Sequence, residues 1–148
     1  MVVFILSCRK EQSTNYYANL KNNTTHLIVI KPYSGGQIVN SNVINLSPSQ
    51  SFQIANGFDR GLNGNTGFSS KYFVVCDSIR ITFDNLYTLT HYIHTPNTLN
   101  NKYYLYSSSR NIFNASNYAY NQKVLSKYQV ENTYNFEFKE QDYLDAKP

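Results

Sequence analysis

Tryptophan is absent from this sequence of 148 residues, methionine occurs once and cysteine only twice. Charged residues make up only 15% of the chain, and no apolar run approaches the roughly 20 residues that a membrane-spanning helix needs. At 41% hydrophobic residues, however, the chain is too apolar to remain disordered. These scarcities predict a folded domain that does not span a bilayer.

The abundant residues are aromatic and amide side chains. The sequence holds 14 tyrosines and nine phenylalanines, residue types that favour strands, whereas alanine and leucine, the best helix formers, are scarce. The length fits one domain. We therefore expect an all-β fold, an antiparallel β-sandwich of about seven or eight strands, immunoglobulin-like or similar, with a short C-terminal helical turn.

The charge of the chain is mildly basic, with a formal net charge of +4. The basic residues are not gathered into the cluster that binding to a phosphate backbone requires. We therefore expect no nucleic-acid partner. No motif in the chain indicates a cofactor.

The first eight residues carry the most informative pattern. An apolar run, Met1 to Leu6, ends in Ser7 and Cys8 and is followed by polar residues. This resembles the end of a bacterial lipoprotein signal peptide, with Ile5 as the aliphatic residue three before the cysteine. The resemblance implies that Cys8 is acylated and that the protein is anchored through it to the outer membrane of the cell envelope. The alternative is that residues 2–6 form an ordinary β-strand.

This interpretation sets the expected domain boundaries. Residues 1–8 are a truncated lipoprotein signal segment that ends at the lipobox cysteine. Residues 9–21 contain few aliphatic side chains and are predicted to form a polar tether. Residues 22–148 then form a single β-sandwich domain.

Two further segments extend the resemblance. The ending Tyr134–Ala146 and, more weakly, the segment Asp77–Asn85 are similar to small lipoproteins of Bacteroidota, most of which have no assigned activity. That likeness implies an envelope β-sandwich and carries over no catalytic residue. Lys10-Glu11 is similar to the signal that exports such lipoproteins to the cell surface. Asp77-Ser78-Ile79 is similar to an O-glycosylation motif with Ser78 as acceptor, although an ordinary Asp-Ser turn explains it as well.

The clearest strand pattern lies in the middle of the chain. Apolar and polar residues alternate from Ser78 to Phe83 and again from Tyr87 to Ile93, with Asp84-Asn85 as a turn between them. We predict a hairpin with Ile81 and Leu89 in the core and Arg80 and Thr88 in solvent. Other strands are expected at residues 25–30, 38–46, 51–55, 72–76, 102–106 and 134–138, with a long loop at 56–67 and a helical turn at 140–146.

No catalytic set emerges from the sequence, so the catalytic residues remain unknown. His91 and His94 would lie on opposite faces of the predicted strand, which argues against a shared metal ion, and we predict no metal site. Cys76 lies in an apolar run and is expected to be an inert buried thiol. The chain has no Gly-x-Ser-x-Gly elbow.

A group of tyrosines interleaved with asparagines is the one candidate binding feature. Tyrosine rings offer flat contact area and a hydroxyl, and asparagine both donates and accepts hydrogen bonds, which suits a glycan or a protein. The alternative is that these tyrosines simply pack in the sandwich. The candidate ligand-binding residues are Tyr103, Tyr104, Tyr106, Tyr118 and Tyr120.

The sequence thus predicts a lipid-anchored, non-catalytic binding or structural module of the envelope, whose ligand is a glycan or an envelope protein. The alternative is a small envelope hydrolase that uses a histidine with an unidentified nucleophile. A histidine within hydrogen-bonding reach of both a carboxylate and a serine or cysteine would favour the hydrolase.

Overall fold

The computed structural model describes residues 11–60, 73–99 and 102–148. Within them the chain forms ten strands and one short α-helix. The elements are β1 (Ser13–Asn22), β2 (Ile28–Ser34), β3 (Gln37–Ile38), β4 (Ile44–Leu46), β5 (Ser51–Arg60), β6 (Ser78–Phe83), β7 (Tyr87–Tyr92), β8 (Tyr103–Tyr104), β9 (Ala119–Ser126), β10 (Gln129–Phe138) and α1 (Glu140–Ala146).

The strands form two sheets, which confirms the predicted all-β sandwich class. Sheet A has the order β5-β1-β10-β9. Sheet B has the order β3-β2-β6-β7-β8, and β4 also pairs with β2. The described residues form ten strands where about seven or eight were expected, and two pairings, β1 with β10 and β7 with β8, are parallel within the otherwise antiparallel sheets.

The predicted polar tether at residues 9–21 is wrong from Ser13 onward. Residues 13–22 form β1, a central strand paired along its whole length with β10 and antiparallel to β5. Every second side chain of β1 faces the core, and Ala18 and Leu20 are fully buried there. The folded domain therefore begins before residue 22, and deleting residues 9–21 would remove the middle of sheet A.

The side chain of Asn22, at the end of β1, is buried and makes its hydrogen bonds to backbone groups. Asn22 donates to the carbonyl oxygens of His26 at 2.7 Å and Leu46 at 3.0 Å, and its own oxygen accepts from the Thr24 amide at 2.9 Å. A buried amide is tolerated when its hydrogen bonds are made. Asn22 thus joins β1 to the start of sheet B.

The predicted hairpin of β6 and β7 is confirmed in register and in facing. Ile81 pairs with Leu89, and both side chains are buried, at 0% and 1% exposure. Arg80 on the opposite face is exposed and Thr88 is half-buried. Sheet B therefore buries one face against sheet A, whereas its other face is exposed at Arg80 and covered at Thr90, which is 2% exposed.

Other sequence-based boundaries needed correction. Residues 56–60, predicted as loop, continue strand β5, whereas residues 73–76, predicted as strand, form a turn ending at Cys76. Strand β9 was not predicted, and the strand expected at 102–106 is reduced to Tyr103–Tyr104. The segment expected to run as one strand over 38–46 is broken by a 3₁₀ turn at Asn40–Asn42.

Helix α1 confirms the predicted C-terminal helical turn and is held by a buried ion pair. Asp142, 1% exposed, accepts from the Arg110 guanidinium through Nε at 2.9 Å and also through Nη2. The same carboxylate accepts from the Lys139 backbone amide at 2.8 Å and so satisfies one free donor at the start of the helix. This contact fixes α1 against the sandwich beside β7.

Several predictions from the sequence fall on residues outside the described ranges. They include the signal segment 1–8, the acylated Cys8 and Lys10 of the export signal Lys10-Glu11. The glycine-rich part of the predicted loop, residues 61–67, also lies outside them. These remain predictions.

Candidate functional site

The outer face of sheet B presents an unusual arrangement of charge. Lys31 on β2 is directly opposite Arg80 on β6, and Arg80 is in turn opposite Thr90 on β7. Like charges at directly paired positions of a sheet repel and destabilise it. Departures from a local rule of this kind are expected at functional or strained sites, so this face is a candidate site.

These residues border a groove of about 870 Å³. Its floor is the outer face of β2, β6 and β7, and its rim includes the β6–β7 turn and the end of α1. The described residues that line it are Lys31, Tyr33, Arg80, Thr82, Leu86, Tyr87, Thr88, Leu99, Lys102, Ala146 and Pro148. Three of these side chains are cationic, and none is an aspartate or glutamate.

The three cations of the groove are not neutralised by described carboxylates. The ion pairs found in the described part of the chain involve His26, Arg60 and Arg110, and none involves Lys31, Arg80 or Lys102. Unpaired charges that share one concavity produce a positive potential, which attracts anions. The groove is therefore electrostatically suited to a negatively charged ligand.

Arg80 is held in place by Tyr33. Its guanidinium carbon lies 4.3 Å from the centre of the Tyr33 ring, a cation–π contact, and its Nη1 donates to the Tyr33 hydroxyl at 3.4 Å. Tyr33 itself is only 9% exposed, so it is a fixed support. The guanidinium is thus positioned in advance, and its remaining N–H groups are available to an anion in planar, two-pronged geometry.

Hydroxyl groups lie beside the cations. Thr82 and Thr88 are directly paired, with their hydroxyl oxygens 3.1 Å apart. Thr90 lies between two of the cations, since it pairs with Arg80 and its backbone amide donates to the Lys102 carbonyl oxygen at 2.9 Å. Its hydroxyl is buried and has no hydrogen-bond partner among the described residues.

The groove offers binding groups rather than acid–base groups. Guanidinium, ammonium and hydroxyl donors can bind anionic oxygens, and the exposed side chains of Leu86 and Leu99 offer apolar contact. No histidine, cysteine or side-chain carboxylate is among its described lining residues. The arrangement can therefore bind and orient a ligand with the groups it displays.

The histidines do not meet the geometric condition set for the hydrolase. His26 contacts two carboxylates, with Nδ1 2.5 Å from Asp84 and Nε2 3.4 Å from Glu140, and its ring stacks on Tyr143 at 3.6 Å. No described hydrogen bond joins that ring to a serine or cysteine. The cluster ties the turn after β6 and the start of α1 to the segment before β2.

His91 is part of the core. Its Nδ1 accepts from the Ile112 backbone amide at 3.0 Å, and its Nε2 is buried without a described partner. Burial, reinforced by the positive charge of Arg110, lowers the pKa of His91 to about 3, so the ring is uncharged. His94 is exposed beyond the end of β7. These positions lend no support to the hydrolase alternative.

Cys76 is a free, buried thiol, as predicted. Its Sγ donates to the Phe73 carbonyl oxygen at 3.1 Å, and burial raises the pKa of the thiol to about 11. A thiol with so high a pKa contains almost no thiolate at neutral pH, so it is a poor nucleophile. The described residues also contain no group of three or more potential metal ligands.

The structure does not gather the five candidate tyrosines into one surface. Tyr118 is buried, and its hydroxyl donates to the Ile112 carbonyl oxygen at 2.8 Å. Tyr104 is half-buried, and its hydroxyl donates to Asp145 and lies 3.4 Å from Asp142. Burial, and then the hydrogen bond to Asp145, raises the pKa of Tyr104. These two tyrosines therefore stabilise the sandwich.

The other three tyrosines are exposed but separated by the fold. Tyr103 lies on β8 at the edge of sheet B, 39% exposed, and Tyr106 is 47% exposed in the following loop. Tyr120 is 54% exposed on β9 in sheet A. Tyr103 is next to the groove residue Lys102 in the chain, so it is the candidate tyrosine nearest in sequence to the groove lining.

The asparagines of the same region serve the backbone. Asn111 is fully buried and donates to the carbonyl oxygens of Tyr92 and Tyr104, both at 2.9 Å. Asn117 donates to the carbonyls of Ser108 and Asn111, both at 2.8 Å. These amides satisfy the irregular backbone before β9 and are not free to bind a ligand.

Ser78, the predicted glycosylation site, is the first residue of β6. Its hydroxyl donates to Asp77 at 2.7 Å, and Asp77 also accepts from the Gly35 amide at 2.7 Å. The next residue, Ile79, is fully buried. The local structure thus has the geometry of an Asp-Ser turn that ties β6 to the β2–β3 turn, and glycosylation stays a prediction.

The groove residues were missed because their convergence depends on strand pairing. Lys31, Arg80 and Lys102 are distant in sequence, and each alone resembles an ordinary solvated charge. The only sequence signal was that Arg80 occupies a polar position in a strongly alternating strand. Its proximity to Lys31 follows from the pairing of β2 with β6.

None of the helices in the described ranges is long and apolar enough to cross a membrane. Comparisons with protein-family models, curated proteins and solved structures find no match to this chain. Its function must therefore be inferred from the groove and the surrounding surface.

Proposed function

We propose that this protein is a non-catalytic binding module of the cell envelope that holds an acidic saccharide in the groove on sheet B. The observation that carries this proposal is the convergence of Lys31, Arg80 and Lys102 on one groove without a described carboxylate to neutralise them. A carboxylated or sulfated sugar supplies the missing negative charge.

The other lining groups favour a saccharide over a simple inorganic anion. A groove of about 870 Å³ is large enough for several sugar units or a ligand of similar size. The exposed side chains of Leu86 and Leu99 offer apolar contact, and the paired hydroxyls of Thr82 and Thr88 can exchange hydrogen bonds with sugar hydroxyls. An inorganic anion would leave these groups unused.

For the cellular setting we propose a lipid anchor at Cys8 and a location at the outer membrane. This rests on the residues Ile5 to Cys8 and on the polar segment that follows them. Mass spectrometry of the protein extracted from bacterial membranes should find an acylated Cys8. An unmodified Cys8 would contradict the anchor but leave the groove proposal intact.

Binding is best tested with two oligosaccharides that differ only in charge. Oligogalacturonate carries one carboxylate on each sugar, and its methyl ester is neutral with the same ring hydroxyls. Isothermal titration calorimetry at low salt should detect binding of the acid form and much weaker binding of the ester. Affinity should fall as salt is added, because exposed charge contacts are screened.

Variants then locate the site. Replacing a cation that donates to a charged oxygen should lower affinity about tenfold, so Arg80→Gln and Lys102→Gln should both weaken oligogalacturonate binding. Lys21→Gln is the matched control, since Lys21 lies on sheet A. Equal binding of the ester and the acid, or equal losses in all three variants, would contradict the proposal.

A further inference from the structure

The two sheets differ in how their edges are protected. Sheet B ends in β3 and β8, each of only two residues. In sheet A, the edge strand β5 ends in the charged pair Asp59-Arg60, and its pairing with β1 contains a bulge. Short strands, charges and bulges are the usual means by which native proteins prevent edge-to-edge pairing.

Strand β9 has less of this protection, because the bulge in its pairing with β10 lies near its end, after Val124, and leaves the preceding residues of the strand regular. All eight of its residues are exposed, and no described strand pairs with its far edge. Lys123 is its only charged residue, and it contains no proline. Tyr120 and Val124 are 54% and 70% exposed, so apolar side chains accompany the open backbone edge.

The faces of β9 follow from its pairing with β10, which is regular from Ala119 to Val124. Tyr120, Gln122 and Val124 share one face, opposite Tyr134, Asn132 and Val130. Asn121 and Lys123 occupy the other face. Two antiparallel copies of an edge strand that continue one sheet are related by a two-fold axis normal to it. Each side chain is therefore paired across the interface with a side chain on the same face of the continued sheet.

This symmetry leaves few registers. An axis at Gln122 places Tyr120 opposite Val124 of the second copy, an aromatic and β-branched pair that stabilises sheets, and Lys123 opposite Asn121. An axis at Lys123 would place two ammonium groups opposite each other. An axis at Asn121 would place Tyr120 opposite Gln122. The register centred on Gln122 pairs the apolar residues and separates the lysines.

We propose that β9 pairs with β9 of a second copy of this chain, antiparallel and centred on Gln122, to form a two-fold symmetric dimer with a continuous eight-stranded sheet. The paired segment is short, so the association is weak and concentration-dependent. The inference is independent of the groove, which lies on the other sheet.

Disulfide cross-linking tests the register directly. In Gln122→Cys the two introduced thiols face each other across the axis, where directly opposed Cα atoms lie about 4.5–5.5 Å apart, within disulfide range. In Val124→Cys the introduced thiol of one copy is offset from that of the second copy by four residues along the strand. This distance of about 13 Å is too long for a disulfide. Each variant also carries Cys8→Ser, and the remaining Cys76 is buried.

Under mild oxidation, Gln122→Cys should form covalent dimers more than about tenfold faster than Val124→Cys. Val75→Cys, 61% exposed on a turn outside both sheets, reports random collisions. Equal rates for all three variants would overturn the proposal. Assemblies larger than a dimer in sedimentation of the unmodified protein, which pairing of β9 with β5 would produce, would also overturn it.

A second pair of variants covers the case in which Gln122→Cys is destabilised by losing its hydrogen bonds to Tyr120 and Asn132. By symmetry, Asn121→Glu creates two new pairs with Lys123, and Asn121→Lys creates two repulsions. Sedimentation equilibrium should show dimerisation strengthened by the first and weakened by the second, each by about two- to thirtyfold. No difference between them would overturn the register.

Discussion

Neutralising Asp142 should destabilise the protein strongly, because this carboxylate is the buried half of the ion pair that holds α1. In Asp142→Asn the side chain keeps its shape but loses its charge, so the Arg110 guanidinium loses the carboxylate with which it is paired, and Asp145 remains only as a nearby charge. Removing one partner of a buried pair costs about 3–5 kcal/mol. The Arg110 side chain retains 24% exposure, so water relieves part of this cost, and we expect about 3 kcal/mol.

Urea unfolding at pH 7 measures this loss as a lower midpoint at constant slope. Glu131→Gln is the matched control, since Glu131 lies on the outer face of β10 and should change stability by less than about 0.5 kcal/mol. A double-mutant cycle with Arg110→Met isolates the pair and should give a coupling of about 1–3 kcal/mol. A loss below about 1 kcal/mol for Asp142→Asn, or a coupling near zero, would refute this account of α1.

Three further changes test the sandwich. Ile81→Ala should cost about 2–5 kcal/mol in urea unfolding, because Ile81 is fully buried, and a loss below about 1 kcal/mol would place it outside the core. Gly57→Ala should lower the melting temperature, because a Cβ there would lie 2.1 Å from the Tyr16 ring; an unchanged value would mean that the ring moves aside freely. The His26 contact lowers the pKa of Asp84 in the folded state, so its stabilisation is complete above the unfolded pKa near 4 and is lost as pH falls through the folded value. The melting-temperature difference between wild type and Asp84→Asn should therefore shrink with acidification, and a constant difference would refute the linkage.

The sequence predicted the parts of the fold in which alternation is strong. Ile79, Ile81 and Phe83 alternate with polar residues, and all three are fully buried. Strand β1 was missed because two of its inward positions are Thr14 and Asn22, which are 1% and 0% exposed. The burial of Asn22 depends on its hydrogen bonds to the carbonyl oxygens of His26 and Leu46 outside the strand, which a local pattern cannot reveal.

The candidate site was less predictable than the fold. The aromatic surplus drew attention to tyrosines such as Tyr104 and Tyr118, but their hydroxyls are used inside the sandwich. The groove depends on Lys31 and Arg80 being opposite each other, and this proximity arises from strand order. In sheet A, β1 lies between β5 and β10, which are both distant from it in sequence. Local sequence patterns do not contain such pairings, so they could not predict this topology.

The central claim is that the outer face of sheet B binds an acidic saccharide. The most direct test is a titration of the ¹⁵N-labelled protein with oligogalacturonate, followed by amide chemical shifts. We expect the largest shifts at Lys31, Arg80 and Thr88, and no comparable response to the neutral methyl ester. Shifts confined to the outer face of sheet A, around Tyr17 and Phe58, or an equal response to both oligosaccharides, would contradict the account.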